Sequence, residues 1–425
     1  MNNKIKIGII GLGTVGSSVV KVLKSNAVLI EKRSGVRIEI KKAADLRNKR
    51  DVAGKAYTNN ALDVISDPEI SIVVETMGGV TPARQLVLSA LRSGKHVVTS
   101  NKELIAKHGR ELIEAAKRSG VQLLFEASVC GGIPIIHSIR ECLAANNIQE
   151  ISGIVNGTTN YILTKMTKEG SDFATALKEA QQKGFAEANP KMDIDGSDAV
   201  YKAAILANVA SGAFVDPSDI YKEGISNISA EDIEFAKEIG YCIKLLAIIK
   251  MSGQDLEVRV HPTLIEKNHP LAEVSDNYNA VYVKGDALGE AMFYGQGAGG
   301  LPTASAVLSD VIEIAGGMGG CCSAAPYYPK ENKLKIKDIG DIRSRYYIRL
   351  EVPDMPGVLA GISGVFAKKK VSIRDVLQRG SKGSTAQIVI ILHENREKDI
   401  QEALKIISKM PVVKKICSVI RVGIR

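Results

Sequence analysis

Along the first 125 residues, short β-branched runs alternate with amphipathic segments of helix length. Strands are predicted at "KIKIGII", "VRIEIKKAA", "SIVVET", "HVVTS" and "VQLLFEA" with helices between them, the βαβ rhythm of a parallel sheet. After Cys130 the rhythm changes to longer helices with interspersed strands, up to about residue 300. "TASAVLSDVIEIAGG" then reads as a single helix that packs back on the first domain, so that the second domain is inserted rather than appended. "PKENKLKIKDIGDIRS" is charged and poor in large apolar side chains, and reads as a linker. From "RYYIRLEV" to Arg425 the order strand, helix, strand, strand, helix, strand fits a small α+β unit.

In "IGIIGLGTVGSSVV", Gly11, Gly13 and Gly16 have G-x-G-x-x-G spacing directly after a strand and at the opening of a helix. Gly11 permits a tight turn, Gly13 lets the backbone approach a pyrophosphate, and Gly16 allows close helix packing, while the helix N-terminus favours negative charge. Leu12, Thr14 and Val15 complete the loop expected to meet the cofactor. At the end of the second strand, Asp45 would accept from a ribose 2′-hydroxyl, whereas Arg47, Lys49 and Arg50 would accommodate a 2′-phosphate. Both NAD and NADP therefore stay open. "VVTSNKELIAKHG" follows the fourth strand and sets Ser100 and Lys102 at the sheet edge where open parallel sheets bind ligands. The expected fold class is α/β: a Rossmann-type dinucleotide-binding domain over 1–128, completed by about 300–325, an α+β catalytic and dimerisation domain over 129–300, and a C-terminal ferredoxin-like module over 345–425.

Composition narrows the function classes. The 425 residues carry a net charge of +9, with lysines spread along the chain, no Trp and few aromatics, a weak footprint for nucleic acid and a better match to a solvated surface with anion sites. No apolar run approaches a membrane span, and "MNNKIKIGII" lacks the features of a signal peptide, so a cytoplasmic protein is expected. Cysteines 130, 142, 242, 321, 322 and 417 are scattered without C-x-x-C spacing and read as reduced thiols.

"EANPKMDIDGSDAVYK" crowds four carboxylates and two lysines ahead of an apolar helical pattern, with Asp198 and Lys202 one turn apart on one helix face. The stretch from Ala180 to Lys202, with Gly184, Phe185, Ala186, Asn189-Pro190, Asp193-Ile194, Gly196, Asp198 and Lys202 in place, resembles the signature of the monofunctional homoserine dehydrogenases. Together with the glycine loop, "TSNKEL" and "NGTTNYIL", the resemblance runs from about residue 4 to 325. It implies interconversion of L-homoserine and L-aspartate 4-semialdehyde with NAD or NADP. By matching position it implies Lys202 as the proton donor to the aldehyde oxygen, Lys102 as a second lysine near the reacting centre, and Asp198 as the acid that orients the lysine or holds a substrate group. Glu187 matches the acid that holds the substrate amino group, Asp193 belongs to the same polar cluster, and Gly157 and Thr158 resemble the loop that contacts substrate.

Read from its residues, "FEASVCGGIPII" is a tight loop of the substrate domain; the resemblance implies a monovalent cation, Na+, wrapped by oxygen ligands of Glu126, Val129, Gly131 and Ile133, chiefly backbone carbonyls. "YGQGAGGLPTASAVLSD" resembles the loop over the nicotinamide, with Gly297 as the contact. "LEVPDMPGVLAGISGVFAKKKVSI" resembles the start of an ACT domain, which implies an amino-acid effector, threonine in this family, or a module used only for dimerisation in a homodimer or homotetramer. Where the family often has an arginine before the aspartate that ends the second strand, this chain has Ala44. Rival readings are another amino-acid or semialdehyde dehydrogenase on the same fold, and a catalytically silent sensor of cofactor and amino acid.

Overall fold

The computed structural model describes residues 4–318, 334–380 and 384–423, arranged as two compact units. Cys321 and Cys322 and the start of the expected linker lie outside these residues. Cys130, Cys142, Cys242 and Cys417 are free thiols.

The first unit gathers residues up to 148, 201–219 and the chain from 279 onward to the end of the helix Gly300–Met318. Its parallel sheet has the order Tyr57–Thr58, Arg37–Ala44, Lys4–Ile10, Ile72–Glu75, His96–Thr99, Leu123–Leu124. The strand order reverses between Lys4–Ile10 and Ile72–Glu75, which opens a crevice at their carboxyl ends. Ile7, Ile9, Val74 and Val98 are fully buried, as both-face burial of a parallel strand requires. The helix Thr14–Ser34 lays Val19, Val20 and Leu23 in the same core as Val307, Val311 and Ile314 of the helix Gly300–Met318. The expected strand "VQLLFEA" pairs only at Leu123–Leu124; beyond it Glu126–Ser128 turns into a 3-10 helix whose first N–H donates to Asp310 of the returning helix at 2.8 Å. The two-residue strand Tyr57–Thr58 was not foreseen, being too short to show a period.

In the second unit one sheet runs Ile148–Ile154, Tyr241–Ser252, Asp255–Glu266, Lys415–Val422, Arg343–Pro353, Thr385–Arg396, Ile373–Gly380. The last four strands, with helices Val358–Lys368 and Glu397–Ile407, form the expected βαββαβ module around Tyr346, Ile348, Leu350, Phe366 and Ile390. The module does not hang from a free linker. Its final strand pairs in parallel with Asp255–Glu266 (Thr263 with Arg421, Leu264 with Val422), and Lys335–Ile336 of the expected linker pairs with Asp255–Leu256. The alternation of Leu334 and Ile336 with lysines is what lets that stretch add to a sheet edge.

Candidate active site

The cofactor elements of the first unit follow from the glycine loop. Gly11 sits at φ +97°, and a Cβ there would lie 2.9 Å from the Thr76 backbone; a Cβ on Gly16 would lie 1.9 Å from the Gly11 carbonyl oxygen. Only glycine allows this turn and this helix approach. The loop opens the helix Thr14–Ser34 and, through Gly11 and the N-cap Gly13, lines a cleft of about 490 Å³ together with Asp45, Arg47, Thr76 and Met77, among others. The Asp45 carboxylate accepts from the Leu12 N–H at 2.7 Å and from the Arg47 N–H and Nε at 2.9 and 3.1 Å. Burial works against its charge, but these donors hold the carboxyl below the usual range. The Arg47 guanidinium reaches over the loop, 3.9 Å from where a Gly13 Cβ would be, and Arg50 stacks over Tyr57 at 5.7 Å. The residues present thus fit a dinucleotide: a helix N-terminus with no capping side chain, an acid at the end of the second strand, and cations beside it.

At the next strand end, sequence reading overlooked Glu75. Fully buried, it accepts from the Thr99 hydroxyl at 2.5 Å and the Met77 N–H at 2.7 Å, and burial raises its carboxyl above the ordinary value. Thr99 accepts from the Asn101 N–H, and Asn101 in turn caps the helix Lys102–Ser119 and donates to the Gly79 carbonyl at 2.6 Å. Ser100 and Lys102 are therefore placed on a braced strand-to-helix corner. The helix Lys102–Ser119 lies beside Ser197–Ser211: Lys107 sits 5.3 Å over the Tyr201 ring, and Ile105 and Gly109 share a small apolar cavity with Ile205 and Val209. Lys102 opens the first of these helices, and the buried Lys202 lies in the second turn of the other.

Cys130 at φ +54° and Gly131 at φ +48° make the bend expected of the "FEASVCGGIPII" loop. A Cβ on Gly131 would meet the Gly297 carbonyl oxygen at 2.6 Å, so Gly297 lies directly against that bend. The Glu126 carboxylate accepts from the N–H groups of Ile136 and His137 at 2.9 and 2.6 Å. Its burial pushes the carboxyl up despite those donors, and burial together with the Glu126 charge raises Asp310 further. No group of three or more His, Cys, Asp or Glu among the described residues is placed to hold a metal ion; backbone carbonyls remain the donors this bend offers a hard cation.

The acids of the second unit converge on a residue not singled out in the sequence. The Asn156 Nδ2 donates to Asp193 at 2.7 Å and to Asp198 at 2.9 Å, one hydrogen to each, while its Oδ1 caps the helix Gly157–Glu169 at the Thr159 N–H. A single amide thus holds two carboxylates side by side at a helix N-terminus, where the helix dipole favours them. Gly157 opens that helix so close to the chain that a Cβ would lie 2.7 Å from the Asn277 carbonyl oxygen. The Thr158 hydroxyl donates to the Phe185 carbonyl at 2.7 Å, which fastens the loop bearing Glu187. Glu187 itself is exposed, its side chain outside the Asn156 cluster. Asp198, 4% exposed, sits one turn before Lys202, 8% exposed, on the helix Ser197–Ser211.

Among the described residues, no helix is long and apolar enough to cross a membrane. Family models match along the chain: "Homoserine dehydrogenase, NAD binding domain" at 11–126, "Homoserine dehydrogenase" at 134–312 and "ACT domain" at 346–412. The homoserine dehydrogenase of a Synechocystis species is 45% identical over 98% of this chain and 99% of its own. A solved homoserine dehydrogenase from Thiobacillus denitrificans superposes with a TM-score of 0.95 at 41% identity, covering 100% and 99% of the two chains. A hyperthermophilic archaeal homoserine dehydrogenase mutant in complex with NADPH matches 73% of this chain and 97% of its own at a TM-score of 0.63 and 30% identity. With a nicotinamide-dinucleotide domain, the matching catalytic segment and a C-terminal ACT domain, the chain belongs to the homoserine dehydrogenases, a family of NAD(P)-dependent oxidoreductases.

Proposed function

We propose that this chain interconverts L-homoserine and L-aspartate 4-semialdehyde, using NADP or NAD. When bound, the nicotinamide supplies the hydride acceptor for alcohol oxidation and the donor for reduction. Lys202 holds the proton that the carbonyl oxygen takes up in reduction and receives it back in oxidation, and Lys102 adds positive charge where negative charge develops on oxygen. Asp198 orients Lys202, Asp193 completes the acid cluster, Glu187 takes the substrate ammonium, and Gly157 and Thr158 meet the substrate through the helix N-terminus. The observation that carries this reading is the pair of acids gathered by Asn156, one of them a helical turn from a buried lysine. Gly11 to Gly16, Asp45, Ser100, Lys102 and Gly297 hold the cofactor, and the basic set Arg47, Lys49 and Arg50 supports acceptance of a 2′-phosphate. The backbone carbonyls of Glu126, Val129, Gly131 and Ile133 would hold Na+ at the Cys130–Gly131 bend. The protein works in the cytoplasm as a homodimer or homotetramer, with threonine as the effector of the ACT domain.

Absorbance of NADPH and NADH with aspartate semialdehyde, wild type against Lys202→Ala, tests this. The variant should lose about 10²-fold or more in turnover while binding cofactor normally. Near-normal turnover would remove Lys202 from the chemistry, and an inactive wild type would favour the sensor reading.

A further inference from the structure

We propose that Lys222, backed by Glu223 and Arg421, is a positioning residue for the acids Asp193 and Asp198; the inference rests on the reading that those acids serve the substrate. The segment between them is a short turn at Asp195 and Gly196, joining the helical residues Lys191–Ile194 to the helix Ser197–Ser211, and its geometry sets where both carboxylates stand. The two-residue strand Tyr221–Lys222 pairs with Asp255–Glu266, Lys222 opposite Val260, and the Glu223 N–H donates to the Val260 carbonyl at 2.8 Å. From this edge three residues, Lys222, Gly224 and Ile225, grip the turn. The Lys222 Nζ donates to the Ser197 hydroxyl at 2.7 Å and meets the Asp195 carboxylate at 3.3 Å, bridging the two residues that precede Asp198 around Gly196. The Ile225 N–H donates to the Ile194 carbonyl at 2.9 Å. Gly224 presses so closely that a Cβ there would lie 2.2 Å from the Ile194 carbonyl oxygen and 2.7 Å from the Asp195 Cα.

The grip is anchored by the ACT module. Arg421, on the module's last strand, donates to Glu223 at 2.9 Å and to the Tyr221 hydroxyl at 3.1 Å, with its guanidinium 4.7 Å over the Tyr221 ring. The same guanidinium holds Glu397 of the module through Nε and Nη2 at 2.9 and 2.8 Å. A continuous set of hydrogen bonds and packed backbone therefore runs from Glu397 and Arg421 through Tyr221–Gly224 to the turn between Asp193 and Asp198. An exposed lysine–carboxylate pair adds little stability by itself. Its effect here is on geometry, where a misplacement of about 1 Å costs up to about a hundredfold in rate.

Steady-state kinetics of the full-length enzyme test the role. Lys222→Met should lower kcat/KM for homoserine by about ten- to a hundredfold with the cofactor KM unchanged and the thermal transition within a few degrees, and Lys222→Arg should restore most of the loss. Adding Glu223→Gln to Lys222→Met should cost less than the product of the two single effects, because both act on one turn. Normal kcat/KM in Lys222→Met overturns the proposal, and so do multiplicative losses or a parallel fall in cofactor binding and thermal stability, which mark a purely structural lysine. Asp198→Asn, measured alongside, separates the underlying reading. If it is inactive while Lys222→Met is normal, only the positioning role fails; if it is fully active, the assignment of the acids fails and the proposal with it.

Discussion

Replacing Arg421 by methionine removes a nearly unexposed cation from between two carboxylates. Its side chain is 4% exposed and so is that of Glu397, which it holds with two hydrogen bonds of 2.8 and 2.9 Å. Methionine fills much of the volume but leaves Glu397 as an uncompensated buried charge, a change that costs about 3–5 kcal/mol. The pH dependence follows from the same pair. Burial pushes the Glu397 carboxyl up, but the Arg421 hydrogen bonds and charge outweigh it, so its folded value is depressed. In the wild type this stabilisation is present above the unfolded carboxyl value of about 4 and is lost as pH falls through the lower folded value. In the variant burial is opposed only by the hydrogen bonds from Tyr346 and Gln401, Glu397 takes up a proton at higher pH than in the wild type, and the difference from wild type shrinks on acidification. With no Trp and 12 Tyr in the chain, tyrosine fluorescence in urea titrations at pH 7 and pH 4 reads both states. Arg421→Met with Glu397→Gln should recover at least half of the loss, since neither charge then remains. A difference below about 1 kcal/mol at pH 7, or the same difference at both pH values, would refute the reasoning.

Arg47→Glu should depress kcat/KM with NADP at least about tenfold while changing NAD use little, because the guanidinium stands beside Asp45 at the ribose end of the cleft; equal losses would mean damage to the fold. Lys244 is buried against Asn160 Oδ1 and the Val274 carbonyl, and desolvation lowers it to about 8. Between that folded value and the ordinary one the unfolded chain binds the extra proton, so stability should rise from about pH 8 toward 10; urea midpoints of wild type should climb over that window relative to Lys244→Met, and parallel curves would exclude it. A chain ending at Lys337 strips Asp232, fully buried, of Arg349, Tyr347 and Ser418. It should lose about 3–5 kcal/mol from the second unit and melt well below the full-length protein; an unchanged melting temperature with normal turnover would show the ACT module to be energetically separate.

The cofactor domain was legible because each of its signals is local: period-two runs, glycines at fixed offsets, and an acid at a strand end. The expected strand at "VQLLFEA" stopped after Leu124 for a reason no local window contains, since Glu126 is turned aside by Asp310 from 184 residues later. Asp193 and Asp198 were visible from charge crowding, yet Asn156, which joins them, lies 37 and 42 residues upstream and looks in sequence like an ordinary helix cap. The attachment of the ACT module was half visible. Arg349 in "YYIRLEV" and Arg421 in "SVIRV" interrupt apolar strand patterns, a sign of buried charge, but which acids answer them depends on a sheet assembled from distant segments. The charged composition of the linker hid the short strand at Lys335–Ile336.

The returning helix Gly300–Met318 also sets an order in time. The core around Val19, Val20 and Leu23 includes Val307, Val311 and Ile314, so the nucleotide-binding half cannot close until those residues have left the ribosome. Between Glu126 and Gly300 the chain grows for roughly ten to thirty seconds at about 5–20 residues per second. During that interval the apolar face of Thr14–Ser34 is without its final cover, and nascent-chain aggregation or chaperone capture should peak while this middle stretch of the protein is being made.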